Sequence, residues 1–306
     1  MGTFILRRLL HGLVVLFGVS IIVFLLMHLG GDPAAVLLPL DTPPQQIEAF
    51  RHAMGFDRPL PVQYFLFLTR ALQGDFGYSY HYRTDALTIV LERMPATIKL
   101  AFSALLISLV VAIPAGILSA LKKNSWFDLF TRTFVLLGQA VPGFWLALML
   151  IIVFGVRLHW LPVSGAEGWK SLVLPAIAAG AFSMASITRL LRSNLVETLG
   201  EPYIQTAKSK GLSRRAVLVR HALKNAAIPT VTVIGLQMGW LLSGAVIAEV
   251  VFAYPGMGRL AVTAIGYRDL PVVQAFVAVS AIIVVSINLM VDLVYSWLDP
   301  RIRLDE

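Results

Sequence analysis

Residues 203–229 read YIQTAKSKGLSRRAVLVRHALKNAAIP and lie between two long apolar runs. We call this stretch the basic segment. Its first part, Tyr203 to Lys210, predicts a short helix, and Gly211 stands where a residue with positive φ can end that helix. Ser213 fits the N-cap of a second helix. On that helix an apolar stripe with spacings of three and four is predicted from Leu212, Ala216, Val219, Leu223 and Ala226, and the opposite face carries Arg214, Arg215, Arg220 and Lys224.

Two interpretations of the basic segment follow from these features. A positively charged loop between apolar runs is typical of membrane proteins, where it sets topology and contacts anionic lipid. Alternatively, the helix–Gly–helix unit has a small-residue face, formed by Ala207, Ser209 and Gly211, that fits a groove on a soluble partner. The segment alone leaves both interpretations open.

The composition indicates an integral membrane protein. Of the 306 residues, 58% are hydrophobic and only 14% are charged, and the mean hydropathy is +0.79. A soluble domain could not bury this much apolar surface, so most of the chain is expected to lie in the lipid bilayer. The net charge of +8 is spread between apolar runs, which excludes a clustered nucleic-acid-binding face. The absence of cysteine excludes disulfides and thiolate chemistry.

Six apolar runs are long enough to cross a bilayer, and each is predicted to be helical because lipid offers no partners for backbone amides. The fold class is therefore an all-α integral membrane protein with six transmembrane helices. Pro114, Pro142 and Pro175 predict kinks in three of them. The predicted spans are Leu9 to Leu29, Ile98 to Leu121, Thr133 to Val156, Leu172 to Leu191, Ile228 to Phe252 and Val272 to Trp297.

The distribution of basic residues predicts the orientation. Fifteen of the 25 Lys and Arg residues fall on the side that holds both termini and the basic segment, so this side is expected to be cytoplasmic. The chain then divides into 1–29, with the first helix; 30–97, outside the membrane; 98–297, a five-helix core that includes the cytoplasmic loop 192–227; and 298–306, a cytoplasmic tail. The external segment is predicted to be small and mostly helical, with a helix from Gln45 to Met54 that ends before Gly55.

Motifs for catalysis and cofactor binding are missing. The sequence has no phosphate-binding Gly-x-x-x-x-Gly-Lys-Ser/Thr loop and no His-Glu-x-x-His zinc motif, and its six histidines are scattered. We therefore expect no metal, no cofactor and no enzymatic activity in this chain. An intramembrane enzyme is an alternative function that these absences disfavour.

A few polar residues fall within the predicted spans, where they are costly and often functional. Asp292, near Asn288, could serve a proton relay, hydrogen-bond a neighbouring helix or reach the membrane interface. Glu249 and Arg259 are predicted to form a structural ion pair. Candidate residues for lining a path are Gln139, Gln237, Met238, Trp240 and Ser243, of which the polar ones could equally form interhelical hydrogen bonds.

With the basic segment inside the cell, the sequence resembles the permease subunits of binding-protein-dependent ABC importers, specifically the dipeptide, oligopeptide, glutathione and nickel branch. The resemblance covers nearly the whole chain. It rests on Gly31-Asp32-Pro33-Ala34, MGFDRPLPVQY (54–64), GDFGYS (74–79), Pro142-Gly143-Phe144-Trp145, the basic segment, EVVFAYPGMGRL (249–260), Arg268-Asp269-Leu270-Pro271 and Leu298-Asp299-Pro300-Arg301.

This resemblance implies a type I importer permease fold in a bacterial inner membrane, with ATP and Mg bound only by partner ATPases. It also implies a paralogous permease, two cytoplasmic ATPase subunits and an external substrate-binding protein as partners. The cargo would be a dipeptide or oligopeptide, with glutathione or chelated nickel as alternatives. A secondary transporter without an ATPase is the rival of another class.

In this family the segment equivalent to the basic segment is the EAA loop, which docks on the ATPase. Here Gln205-Thr206-Ala207 replaces Glu-Ala-Ala. The ATPase-coupling residues that the resemblance implies are Tyr203, Gln205, Thr206, Ala207, Lys208, Gly211 and Leu212.

Overall fold

The computed structural model describes residues 2–29, 31–38 and 42–298, apart from the side chains of residues 2–5, 26, 29, 36, 243, 244 and 294–298. The described chain forms two compact units, Met1–Thr97 with Pro255–Ser286, and Ile98–Tyr254 with the part that follows from Ile287. We describe each unit by itself.

Helices account for nearly all regular structure in the described ranges. Two short π-helical stretches, Ile151–Arg157 and Val217–Ala222, continue from α-helices, and two-residue strands β1 (Tyr78–Ser79) and β2 (Thr84–Asp85) pair antiparallel. The α-helices are α1 (Gly2–Leu29), α2 (Pro33–Leu37), α3 (Pro44–Met54), α4 (Leu60–Leu72), α5 (Ala86–Leu121), α6 (Trp126–Ala140), α7 (Gly143–Leu150), α8 (Lys170–Gly200), α9 (Pro202–Ser209), α10 (Arg214–Ala216), α11 (Leu223–Gly244), α12 (Val246–Val251), α13 (Met257–Gly266) and α14 (Leu270–Leu298).

Within the described residues, five stretches of helix are long and apolar enough to cross a membrane, and a bent pair makes a sixth if it is counted as one span. The prediction of an all-α membrane protein is confirmed. The five are Leu6–Leu25, Ala86–Leu121, Lys170–Gly200, Arg214–Leu242 and Leu270–Leu293.

The third predicted span differs from a single straight helix. Instead of one helix over Thr133 to Val156, the chain bends by 108° between α6 and the segment Gly143–Arg157. The break falls at Val141 and Pro142, which are both extended, because proline cannot donate to the helical ladder and disfavours helical backbone at the residue before it. By contrast, Pro114 and Pro175 lie inside the continuous helices α5 and α8.

The first unit contains the predicted external segment. The predicted helix before Gly55 is confirmed, since α3 ends at Met54 and Gly55 adopts φ +73°. Asp32 caps α2 by accepting from the amide of Ala34, and the Arg51 guanidinium that donates to the Asp32 carboxyl lowers its pKa. The core of this unit contains Val90, Met257 and Val272.

The second unit is organised around α8, whose small residues allow close helix contacts. Gly180 is buried against α5, where its carbonyl accepts from Ser108 Oγ at 2.8 Å. A methyl group at Gly180 would lie 2.7 Å from the carbonyl oxygen of Ala104. Further along α8, the backbone of Thr188 lies close to Gly116. These glycines therefore set the separation between α5 and α8.

Candidate functional site

The basic segment begins directly after the end of α8. Glu201 is extended and leads into α9, which ends at Ser209, and Gly211 follows with φ +79°. Ser213 Oγ then accepts from the amide of Ala216 at 3.3 Å and caps α10. The local predictions of a short helix, a left-handed glycine and a serine N-cap are confirmed.

One face of α9 is anchored in the second unit. Ile204 is fully buried and Ala207 is 7% exposed, and both pack in a cluster with Leu195 of α8 and with Val217 and Ala222 of the following helix. Apolar burial stabilises such a contact by about 25 cal/mol per Å² removed from water. Movement of α9 is therefore mechanically connected to α8 and α11.

The other face of α9 is exposed. Of the residues expected to couple to an ATPase, Ala207 alone is buried, and coupling stays a prediction for all of them. The exposed members are Tyr203, Gln205, Thr206, Lys208, Gly211 and Leu212. The hydroxyl of Tyr203 accepts from Asn225 Nδ2 at 2.7 Å, which joins the start of α9 to α11.

The apolar stripe predicted for the second helix of the basic segment is wrong at two positions. Leu212 is 42% exposed and Val219 is 57% exposed, whereas Val217, Ala222 and Ala226 are buried. Leu212 precedes the N-cap Ser213 and is not part of the helix, and Val219 lies in the π-helical stretch Val217–Ala222. Its i→i+5 hydrogen bonds hold more residues per turn than an α-helix, so the buried positions do not follow a period of 3.6.

The exposed surface of the same helix is positively charged. Arg214, Arg215, Arg220 and Lys224 are all exposed, as predicted for the polar face. Lys208 and Lys210 are exposed at the end of α9. The basic segment therefore presents a cationic outer surface above an apolar inner one.

A buried ion pair that sequence reasoning missed lies in the same unit. Asp128 of α6 is fully buried and receives two hydrogen bonds from the guanidinium of Arg192 of α8, at 2.6 and 2.8 Å. Ser119 of α5 donates to the same carboxylate at 2.6 Å, as does the amide of Asn124 at 3.0 Å. The group ties α5, α6 and α8 together.

The sequence contains a partial signal for this group. Ser125 caps α6 by accepting from the amide of Asp128, and a serine followed three residues later by an acid is a recognisable helix start. Nothing local pairs Asp128 with Arg192, which lies 64 positions away.

Two of the candidate path-lining residues make interhelical hydrogen bonds to α8. Gln139 Nε2 donates to Ser186 Oγ at 3.3 Å, and Gln237 Oε1 accepts from Ser183 Oγ at 2.9 Å. Both glutamines are half-buried. The geometry therefore brings α6 and α11 to one serine-bearing stretch of α8.

The remaining path-lining candidates lie on α11. Trp240 is 51% exposed, and its ring centroid is 5.9 Å from that of Phe182 on α8. Met238 is half-buried, and the side chain of Ser243 lies outside the described part of the chain. Path lining stays a prediction for all of these residues.

The other polar groups noted in the predicted spans are placed as follows. Glu249 is fully buried on α12, Arg259 is exposed on α13 in the other unit, and Asp292 is half-buried on α14 near the exposed Asn288. Their predicted pairing and relay roles stay predictions. Among the described residues, no group of three or more His, Asp or Glu side chains could hold a metal ion.

Two family models match the chain and together cover nearly all of it. Residues 112–304 match the model "Binding-protein-dependent transport system inner membrane component". Residues 1–101 match the N-terminal model of the same kind of membrane component. The chain belongs to this family.

Two named relatives match nearly the whole chain. It is 39% identical to the dipeptide transport system permease protein DppB of Alkalihalophilus pseudofirmus, with 99% of this chain and 100% of the relative covered. It is 38% identical to the glutathione transport system permease protein GsiC of Escherichia coli K12, with 99% of each chain covered. The protein is thus a multi-pass permease subunit of an ABC importer, and it works with ATPase and substrate-binding components.

Solved structures support the same fold at low sequence identity. The permease matches a chain from inward-facing structures of the MetNI methionine ABC transporter with a TM-score of 0.58 and 17% identity, covering 69% of this chain and 96% of that one. It matches a chain from a crystal structure of an amino acid ABC transporter with histidines with a TM-score of 0.53 and 16% identity, covering 68% and 93%.

Proposed function

We propose that this permease forms half of the path by which an ATP-driven importer moves short peptides across the bacterial inner membrane. The substrate class is supported by the names of the full-length relatives, one a dipeptide permease and one a glutathione permease. Glutathione is itself a small peptide, so both names share the same chemistry. Dipeptides are the first candidate cargo, and glutathione is the second.

We propose further that the basic segment couples the permease to the ATPase subunits. The observation that carries this proposal is that α9 is buried on one face only. Ile204 and Ala207 lie in the apolar cluster, and the opposite face, which is polar and cationic, is exposed. An element anchored in this way moves together with the helices beneath it. The exposed face then suits contact with a soluble subunit, and both termini would lie on the same cytoplasmic side.

The remaining partners follow from the same proposal. A paralogous permease would supply the other half of the path, and two ATPase subunits would bind ATP and Mg, with no cofactor bound and no hydrolysis performed by this chain. An external binding protein would deliver the peptide. The segment 30–97 would shape the surface on which that protein docks.

The mechanism that fits these parts is alternating access. ATP binding closes the ATPase dimer and moves the basic segment, and α8 and α11 move with it because α9 packs against them. The helices that carry Gln139 and Gln237 contact the same stretch of α8. Movement of α8 would therefore shift these helices and change which side of the membrane the path opens to. A ligand shifts such an equilibrium only by its different affinity for the two states.

Gly211 provides a direct test of coupling. Its φ of +79° is costly for a β-branched residue, yet a Cβ at this position would meet no atom within 4 Å. Gly211→Val therefore perturbs the backbone of the basic segment alone, by about 1–3 kcal/mol of conformational strain. Gly168→Val is the matched control, since Gly168 has φ +73° and is equally uncrowded.

Both variants would be assembled with the cognate ATPases, the partner permease and the binding protein in proteoliposomes. We expect Gly211→Val to abolish uptake of a labelled dipeptide and the stimulation of ATP hydrolysis by peptide-loaded binding protein, while Gly168→Val keeps both. Normal uptake in Gly211→Val would contradict the coupling role. Uptake of glutathione but not of dipeptides by the wild type would replace the first cargo with the second.

A further inference from the structure

A cavity in the first unit has the composition of a small-molecule site. Its volume is about 110 Å³, and its walls are mainly aromatic rings and thioethers, among them Phe56, Phe67, Phe76 and Met54. A single water needs about 10–15 Å³ of such space, and an engineered cavity of about 150 Å³ holds benzene. This cavity therefore has room for a group about the size of one amino-acid side chain.

The cavity contains a cation whose hydrogen-bonding capacity is largely unused. Arg70 lines it and is half-buried. Its Nη1 donates to Met54 Sδ at 2.8 Å, and a thioether is only a weak acceptor. No carboxylate of the described residues forms an ion pair with Arg70. A guanidinium in this state is suited to bind a carboxylate through two parallel hydrogen bonds.

A second unused donor lines the same cavity. Gln274, near the start of α14, is 5% exposed, and its Nε2 has no hydrogen-bond partner among the described atoms. Buried polar groups in native proteins are almost always paired, so an exception calls for a partner. A ligand carboxylate or carbonyl oxygen in the cavity would supply one.

An acidic side chain lies on the same lining. Asp75 is exposed, and its Oδ1 accepts from the amide of Gly77 at 2.9 Å. Opposite charges, a free amide donor and apolar walls together complement a molecule that carries a carboxylate, an ammonium group and an apolar side chain. We infer that this cavity receives the apolar side chain of a small zwitterion, either a free amino acid or a short peptide, whose charged groups face Arg70, Gln274 and Asp75.

In this site the Arg70 guanidinium and the Gln274 amide hold the carboxylate, Asp75 attracts the ammonium group, and the phenylalanine rings receive the side chain. Every residue that lines the site belongs to this chain, so binding can be measured on the permease without the ATPases or the binding protein. Occupancy of the site is therefore independent of whether the assembled importer transports peptides.

The wild-type permease in lipid nanodiscs provides the first test, with binding measured by equilibrium dialysis. The probes are leucine, leucyl-leucine, leucinamide without the carboxylate and N-acetyl-leucine without the ammonium group. We expect saturable binding of leucine or leucyl-leucine, and a loss of about tenfold or more for leucinamide, since a hydrogen bond to a charged group is worth this much. Whichever of leucine and leucyl-leucine binds more tightly identifies the ligand as a free amino acid or as a short peptide.

Three variants locate the site. Arg70→Gln should remove the preference for leucine over leucinamide, and the exposed Arg58, which does not line the cavity, provides Arg58→Gln as the matched control. Gln274→Leu should weaken leucine binding without loss of thermal stability, because it replaces an unpaired buried amide by an apolar group of similar size. This variant keeps the test decisive if Arg70→Gln does not fold.

Two outcomes would overturn the inference. One is the absence of saturable binding of every probe by the wild type up to the solubility limit. The other is a combination of two results: Gln274→Leu binds leucine as tightly as the wild type does, and the wild type binds leucine and leucinamide equally.

Discussion

The buried ion pair between Asp128 and Arg192 gives a quantitative prediction for the stability of the membrane domain. We consider Arg192→Met, which keeps most of the apolar stem of the side chain and removes the guanidinium. The change deletes both hydrogen bonds to the Asp128 carboxylate and a third, from Arg192 Nε to Ser119 Oγ at 3.2 Å. It leaves a carboxylate with zero exposure and without its principal counter-charge.

The magnitude follows from the burial of the pair. Removing one partner of a buried ion pair costs about 3–5 kcal/mol, because the other charge stays desolvated. Asp128 keeps the Ser119 hydroxyl and the Asn124 amide as donors, so we expect a loss at the lower end of that range, about 3 kcal/mol.

Arg132 supplies a matched control for the same substitution. Its Nε lies 3.7 Å from the Asp128 carboxylate, but its side chain is 48% exposed. Solvent screens an exposed pair, so Arg132→Met should cost only about 0–1 kcal/mol. The two variants remove the same cationic group near the same carboxylate and differ in burial and hydrogen bonding.

The assay is equilibrium unfolding of the purified permease in mixed micelles, titrated with dodecyl sulfate and followed by the fluorescence of its six tryptophans. Asp128→Asn and the Asp128→Asn/Arg192→Met double variant complete a thermodynamic cycle. We expect the double variant to lose less than the sum of the single losses by about 1–3 kcal/mol. Equal stability of Arg192→Met and Arg132→Met, or strict additivity in the cycle, would refute the reasoning.

Two further predictions concern packing and exposure. Gly180→Ala should lower the stability of the membrane domain by about 1–3 kcal/mol, because the new methyl group would lie 2.7 Å from the carbonyl oxygen of Ala104. Gly200→Ala in the same helix meets no atom within 4 Å, and an equal loss in that variant during thermal unfolding would contradict this account. A cysteine at the exposed Thr206 should cross-link to an ATPase subunit in the assembled importer, whereas one at the buried Ala207 should not. Cross-linking from Ala207 alone would reverse the assigned faces of α9.

Local backbone features of the basic segment were predictable because they depend on neighbouring residues. Gly211 adopts positive φ and Ser213 caps the following helix, since glycine alone has no steric penalty there and a serine hydroxyl reaches the free amides of a first turn. The helix before Gly55 was predictable for the same reason. The family resemblance was equally visible in the sequence, since its motifs extend along nearly the whole chain.

Burial within the same segment was not predictable by the same means. The stripe that included Val219 assumed a constant period of 3.6, and the π-helical stretch Val217–Ala222 changed which side chains are buried. Ala207 suited a docking surface by size, yet it packs in the apolar cluster. A residue's type limits where it can lie, but only its neighbours in space decide whether it is covered.

The sequence by itself determined that this chain is a helical membrane protein. Runs of about twenty apolar residues are stable in lipid, and because lipid offers no hydrogen-bond partners, such a run must form a helix, which pairs its backbone amides internally. The tertiary structure alone decided which polar groups meet. Arg192 finds Asp128 across 64 positions, and Arg70 and Gln274 come to line one cavity although they lie far apart in the chain. Side-chain pairing over such distances depends on how helices pack, and no local pattern of residues encodes that packing.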